Sequence, residues 1–250
     1  MKTSMDQYVR SIELNKDKIP ASGQYPFNLP AINALGSLRF HPKVTFIVGE
    51  NGSGKSTLLE AIAVAYGFNP EGGTKNFNFS SRDTHSELYN FIRLSKGVLR
   101  PRDGFFLRAE SFYNVATNID ELDAQPSFGP RLIHSYGGIS LHKQSHGESF
   151  LSLFLNRFGG KGLYILDEPE AALSPSRQMS MLSRMHQLIK SDSQFIIATH
   201  SPIIMAYPDS IIYQIKDGGF EAVKYEDTDH YKDTRAFISN PQKMLDILME

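Results

Sequence analysis

Four short apolar runs punctuate the chain, at residues 44–48 (VTFIV), 163–166 (LYIL), 195–198 (FIIA) and 211–213 (IIY). Each is continuous rather than alternating, which predicts strands buried on both faces. Residues 8–14 and 104–110 predict two further strands. Between them the pattern changes period. Residues 56–66 are rich in Leu and Ala and predict a helix. Helices are also expected over 86–94 and over 149–158, where Phe150, Leu151, Leu153, Phe154 and Leu155 recur with helical spacing. Ser174 and Pro175 predict a helix start, a capping serine followed by proline at the first helical position. Its expected apolar face is Met179, Leu182, Met185, Leu188 and Ile189. Residues 69–81 and 125–138, dense in Gly, Asn and Pro, read as loops, and Pro20, Pro26 and Pro30 mark an irregular stretch. Apolar strands alternating with amphipathic helices predict an α/β fold, a mainly parallel sheet covered on both faces.

The loop after the 44–48 strand narrows the chemistry. Gly49, Glu50, Asn51, Gly52, Ser53, Gly54, Lys55 and Ser56, followed by Thr57, fit the phosphate-gripping pattern G-x-x-x-x-G-K-[ST]. Strand, glycine loop and helix is the context that gives the string a mechanism. Glycines let backbone N–H groups converge on phosphate oxygens, and the helix N-terminus adds partial positive charge. Lys55 is expected at the β- and γ-phosphates and Ser56 on Mg²⁺.

Two other strands end in polar groups. The 163–166 run leads into Asp167 and Glu168. Carboxylates at the end of a buried strand are costly unless they serve a cation or a proton. Asp167 suits the Walker B role of holding Mg²⁺, and Glu168 suits the activation of a water at the γ-phosphate; a solvated strand end is the bland alternative. The 195–198 run leads into Thr199 and His200. His200 either senses the γ-phosphate or is a satisfied structural histidine. Ser145 and Gly147 open the helix at 149 and could bind an anion at its N-terminus or simply cap it.

Composition excludes several classes. The 250 residues are 40% hydrophobic, enough for a full core, and the net charge is −1, so no global field draws in nucleic acid or anionic membrane. With no cysteine, disulfides, thiol catalysis and cysteine-based zinc sites are out. The first six residues lack a signal-peptide core, and no apolar run approaches a membrane span. A cytoplasmic protein without membrane insertion is expected. A local exception to neutrality is Arg93, Lys96, Arg100, Arg102 and Arg108, set against Asp103 alone, which reads as a DNA contact or as a solvated hairpin.

Together, GENGSGKST, DEPEAALSP and ATHSP make the chain resemble ATP-binding-cassette (ABC) ATPases, in the order Walker A, signature, Walker B, switch histidine, over about residues 40–205. These strings look more like the soluble RecF, SMC and OLD-type ATPases than like transporter subunits, which more often read DEPTSALD after Walker B. The nearest likeness is a small stand-alone predicted ATPase. The resemblance implies a P-loop NTPase of the ABC-head type, one domain over 1–250 with a helical signature lobe at about 70–150. No heptad tract for coiled-coil arms stands between Lys55 and Ser145. It implies ATP and Mg²⁺ as ligands. It also implies a homodimer in which Ser145 and Gly147 of one copy cap nucleotide held by the other. His146 departs from the usual signature glycine, and Glu110 stands where the family often places a magnesium-sensing glutamine. The implied role is a switch or motor in repair or phage defence. The alternatives are a switch that holds an effector protein and the nucleotide-binding subunit of a transporter.

Overall fold

The computed structural model describes residues 7–19, 23–75, 86–126 and 129–249. Strand β1 (Val9–Leu14) is followed by helix α1 (Pro30–Ala34), then β2 (Ser37–Arg39) and β3 (Val44–Val48). Helix α2 (Lys55–Tyr66) precedes β4 (Ile92–Lys96), β5 (Asp103–Arg108) and α3 (Phe112–Ala124). Then come α4 (His146–Ser152), which passes directly into a π turn at Leu153–Arg157, and β6 (Gly162–Asp167). The chain continues with α5 (Pro175–Lys190), β7 (Gln194–Ala198), α6 (Pro202–Met205), β8 (Ile211–Lys216) and β9 (Gly219–Val223). It finishes with α7 (Asp229–Ser239) and α8 (Pro241–Leu248).

Six strands form the main sheet in the order β5-β6-β7-β3-β8-β9, parallel throughout except for the antiparallel β8–β9 pair. Every residue of β3, β6 and β7 is buried, as their continuous apolar character demands. Alternate residues serve two cores. Val44, Phe46 and Val48 face one side with residues of α3, α4 and α5. Ile47, Ile165 and Ile196 face the other, against α2 and a small antiparallel sheet, β2-β1-β4. The two sheets are joined by the buried amide of Gln194. Its Oε1 accepts from Tyr8 and Val9 N–H, both at 3.0 Å, and its Nε2 donates to Val9 and His41 carbonyls at 2.8 and 3.0 Å.

Several expectations are corrected. Residues 86–94 are not a helix: a single 3₁₀ turn at Glu87–Asn90 gives way to β4, whose Ile92 is buried while Arg93 is exposed, and which pairs with β1. The expected strand at 104–110 stops at Arg108, leaving Glu110 in the turn beyond. The helix expected from 149 already starts at His146, and Leu155 is exposed. Residues 125–138 contain a 3₁₀ turn, Leu132–Tyr136, anchored by buried Ile133 and Tyr136, and Pro30 opens α1. Residues 76–81 of the expected 69–81 loop, together with Pro20 and Met1 to Asp6, lie outside the described residues.

On α5 the buried face carries Met181, Met185, Leu188 and Ile189, whereas Met179 is 58% exposed. At 100° per residue, Met179 stands roughly 160° around the helix from Met181, facing solvent. Leu182 packs at the margin of the core. Met181→Ala should therefore cost about 2–5 kcal/mol. Met179→Ala should stay within about 0.5 kcal/mol of wild type. Urea unfolding of both variants checks the assignment, and equal costs would refute it.

Candidate active site

The loop leaving β3 turns into α2 through Gly54, whose φ of 100° is left-handed and open to glycine at little cost. Lys55 at the first position of α2 is buried, and its Nζ donates to the Gly49 and Glu50 carbonyls at 2.8 and 2.9 Å. Ser56 Oγ donates to Asp167 Oδ1 at 3.1 Å, joining the start of α2 to the end of β6. Asp167 is buried, and burial pushes its pKa up to about 7 against the opposing pull of the Ser56 hydrogen bond.

Glu168 follows in the left-handed region, φ 50°, a conformation uncommon outside glycine, Asn and Asp. Its N–H bonds the Ala198 carbonyl at 3.0 Å, which ties this turn to the end of β7. His200, just past β7, places Nε2 3.4 Å from Glu168 Oε1. Burial, reinforced by Lys55, holds the His200 pKa below its ordinary value. Five residues expected at the site, Lys55, Ser56, Asp167, Glu168 and His200, thus converge at the carboxyl ends of three neighbouring parallel strands.

Two more residues share the site. Glu170 accepts the His200 backbone N–H at 2.5 Å, and burial raises its pKa. It stands inside the quoted DEPEAALSP string, so proximity in sequence to Glu168 is the signal that could have found it. His230, from α7, lies 2.9 Å from His200, nitrogen to nitrogen, and no local pattern announces it.

The remaining expectations fall elsewhere. Ser145 caps α4: its Oγ donates to Glu148 Oε2 at 2.6 Å and its N–H to the same oxygen at 3.0 Å, a capping box. At Gly147 a Cβ would meet Arg177 Nη1 at 2.5 Å and the Ala172 carbonyl at 2.6 Å, so close packing alone requires glycine. His146 sits among aromatic rings, 5.2 Å from Phe150 and 6.2 Å from Phe112, with Nδ1 3.1 Å from the Tyr113 hydroxyl. Glu110 is exposed and pairs with Arg108 at 3.4 Å. Arg108 also bonds buried Glu60 at 2.6 Å, so it leaves the expected basic cluster. Lys75, not in that cluster, joins Lys96 there: their ammonium groups lie 4.1 and 4.7 Å above the same Tyr66 ring. Asp103 turns inward to Arg157, Tyr164 and Gly159.

The phosphate loop lines a cavity of about 210 Å³, walled by Tyr25, Leu29, Asn51, Lys55, Thr57 and Glu168. Four carboxylates, Glu50, Asp167, Glu168 and Glu170, act on Lys55 here. Their negative charge would favour a bridging cation beside any polyphosphate held here. Among the described residues no group of three or more His, Cys, Asp or Glu forms a protein-only metal site. The oxygen-only pair Ser56 and Asp167 fits Mg²⁺, which keeps several waters and phosphate oxygens of its own.

Comparison with known proteins agrees with this geometry. Residues 32–124 match a family model described as an AAA domain, and residues 136–206 one described as an AAA domain, putative AbiEii toxin, Type IV TA system. The chain is 25% identical over 209 residues to the cell division ATP-binding protein FtsE of Bacillus subtilis, spanning 78% of this chain and 89% of that protein. It is 27% identical over 229 residues to the probable branched-chain amino acid transport ATP-binding protein LivG of Archaeoglobus fulgidus, spanning 80% and 85%. The solved ATP-binding cassette MJ1267 of an ABC transporter superposes with a TM-score of 0.51 at 18% identity, covering 97% of this chain and 99% of that one. The chain has the fold and motif set of an ABC-type P-loop ATPase, a mostly parallel sheet flanked by helices. Its longest helix among the described residues, α5, has 16 residues, and none is long and apolar enough to cross a membrane. The likeness does not separate the soluble RecF, SMC and OLD-like kinship from the transporter cassettes.

Asp167 gives a stability test. Its folded pKa, about 7, exceeds the ordinary 3.8. The stability this shift confers is therefore complete below about pH 3.8 and lost as pH rises through 7. Above pH 7 the nucleotide-free protein carries a buried carboxylate at a cost on the order of 4 kcal/mol. Asp167→Asn should raise the melting temperature by about 5 °C or more at pH 8, with a smaller gain at pH 5. A thermal melt with no gain at pH 8 would contradict the burial account.

Proposed function

We propose that this chain binds and hydrolyses ATP, and that two copies pair head to tail around the nucleotide. The observation that carries the reading is the meeting of Lys55, Ser56, Asp167, Glu168 and His200 at one rim of the sheet. Backbone N–H groups of residues 49–57 and the N-terminus of α2 would hold the phosphates. Lys55 would exchange its Gly49 and Glu50 carbonyls for β- and γ-phosphate oxygens. Ser56 and Asp167 would hold Mg²⁺, with Glu110 assigned an outer role through water. When bound, Mg²⁺ supplies charge neutralisation at the β- and γ-oxygens.

Glu168 would accept the proton of the attacking water, and the left-handed turn that starts it toward His200 sets its position. His200 would hydrogen-bond the γ-phosphate and register its loss. Ser145 and Gly147 of the second copy would close the site, giving ATP its differential affinity for the paired state. Residues about 70–150 would form the lobe that presents them.

We assign the activity to a cytoplasmic switch or motor in a nucleic-acid process such as repair or phage defence. Support comes from the toxin–antitoxin description of the model matched by residues 136–206. It also comes from the cations Lys75, Lys96 and Arg100 beside Tyr66, at the end of α2 away from the nucleotide. A switch holding an effector protein would use the same ATP cycle. The name of LivG, a transport ATP-binding protein, favours another reading, the nucleotide-binding subunit of a transporter. Co-purification separates them, by a soluble effector or by a membrane protein.

Glu168→Gln should slow phosphate release by about 10²–10⁴ and accumulate ATP-bound dimers in light-scattering chromatography. Lys55→Ala should lose nucleotide binding itself. Normal pairing and turnover in Ser145→Arg would sink the shared-site arrangement. Removing Lys75, Lys96 and Arg100 together should flatten the salt dependence of binding to DNA fragments by about three in the log–log slope. An unchanged slope would leave DNA without this contact.

A further inference from the structure

His230 lies outside both matched segments, residues 32–124 and 136–206, yet it reaches the site. Its Nε2 is 2.9 Å from His200 Nδ1, with ring centroids 5.1 Å apart. The residues before it are firmly tied down. Buried Thr228 caps α7 by accepting the Tyr231 N–H at 3.3 Å and donates to the Tyr225 carbonyl at 2.8 Å. Asp229 exchanges two hydrogen bonds with Gln214 of β8, which is itself buried: it accepts from Nε2 at 2.6 Å and donates its N–H to Oε1 at 3.2 Å. His230 is therefore delivered to His200 by a fixed element.

A hydrogen bond between two neutral imidazoles needs a proton on one nitrogen and a lone pair on the other. His200 Nε2 faces the Glu168 carboxylate, which only accepts. A lone pair there would oppose the carboxylate, so the His200 proton belongs on Nε2 and Nδ1 is left to accept. His230 then donates from Nε2, and its Nδ1 carries no proton. That nitrogen and His200 Nε2 are both buried without a hydrogen bond of good geometry among the described residues, but of the two only Nε2 has a carboxylate oxygen nearby, Glu168 Oε1 at 3.4 Å, to favour a proton there. Burial holds both rings below the ordinary histidine pKa, so both are neutral near pH 7.

We propose that His230 is a positioning residue that locks His200 in its Nε2–H tautomer and aims that N–H at Glu168 and the place the γ-phosphate would take. The inference rests on the ATPase reading of the site only for its catalytic consequence. Hydrogen-bond partners that orient a metal-ligating histidine typically contribute about tenfold to a hundredfold, and the same scale is expected for a partner that orients His200. In the full chain, His230→Ala should lower kcat for phosphate release by that factor, with affinity for a fluorescent ATP analogue within about twofold. His230→Gln, whose amide N–H can still donate to Nδ1, should recover most of the loss.

Nitrogen-15 NMR of histidine-labelled protein without nucleotide supplies an independent readout, with the His200 signal assigned by its loss in His200→Ala. Wild type should report the Nε2–H tautomer, His230→Ala a mixture, and His230→Gln the Nε2–H form again. A wild-type kcat or an unchanged tautomer in His230→Ala overturns the proposal, as does a Gln variant as impaired as Ala. Should wild type neither bind nor hydrolyse ATP, the ATPase reading fails, while the tautomer comparison still decides what His230 does.

Discussion

Because β6, β7 and β3 pair in parallel, the segments that follow them leave the sheet at one rim, and their polar groups meet there. Backbone hydrogen bonding fixes this before any side chain is chosen. The three strands are wholly buried, so sliding one past its neighbour would expose apolar surface and strand polar groups. The register Asp167↔Ala198, together with the Glu168 N–H on the Ala198 carbonyl, therefore sets the Glu168–His200 spacing with the rigidity of the sheet itself.

What gathers at that rim is electrostatically uncomfortable. Four carboxylates surround one buried lysine, one of them on a left-handed residue, and two histidines are kept neutral by burial. A domain selected only for stability would not keep Asp167 in this setting. The arrangement would become favourable if a cation and a polyanion entered together, each offsetting the cost of burying the other. The proposed function and the electrostatic cost fall on the same few residues.

Much of this was legible because it is local. Asp167, Glu168 and His200 stand within two residues of a continuous apolar run, Lys55 and Ser56 close the glycine loop that follows another, and parallel pairing does the rest. Where sequence reading failed, the deciding contact was tertiary or the period was misjudged. Ile92, Arg93 and Leu94 alternate inward and outward, but a period of two over so few residues is easily taken for a helix. Met179 shares helical spacing with Leu182 and Met185, and only packing shows that the buried stripe runs through Met181 instead. Helix α3 was findable from Phe112, Val115, Ala116 and Ile119, spaced as one helical face. Asp217 and Gly218, both with positive φ, marked the β8–β9 hairpin in the same way. His230 had no such marker, since its meaning comes from a residue thirty positions earlier.

Strand β7 begins with Gln194 and delivers His200 two residues past its end. The Gln194 amide spends all its bonding capacity on Tyr8, Val9 and His41. A deletion that trimmed the amino-terminal edge as far as Val9 would thus remove far more than a peripheral strand. It would strip partners from an amide sealed in the interior, at the root of the strand that carries the histidine.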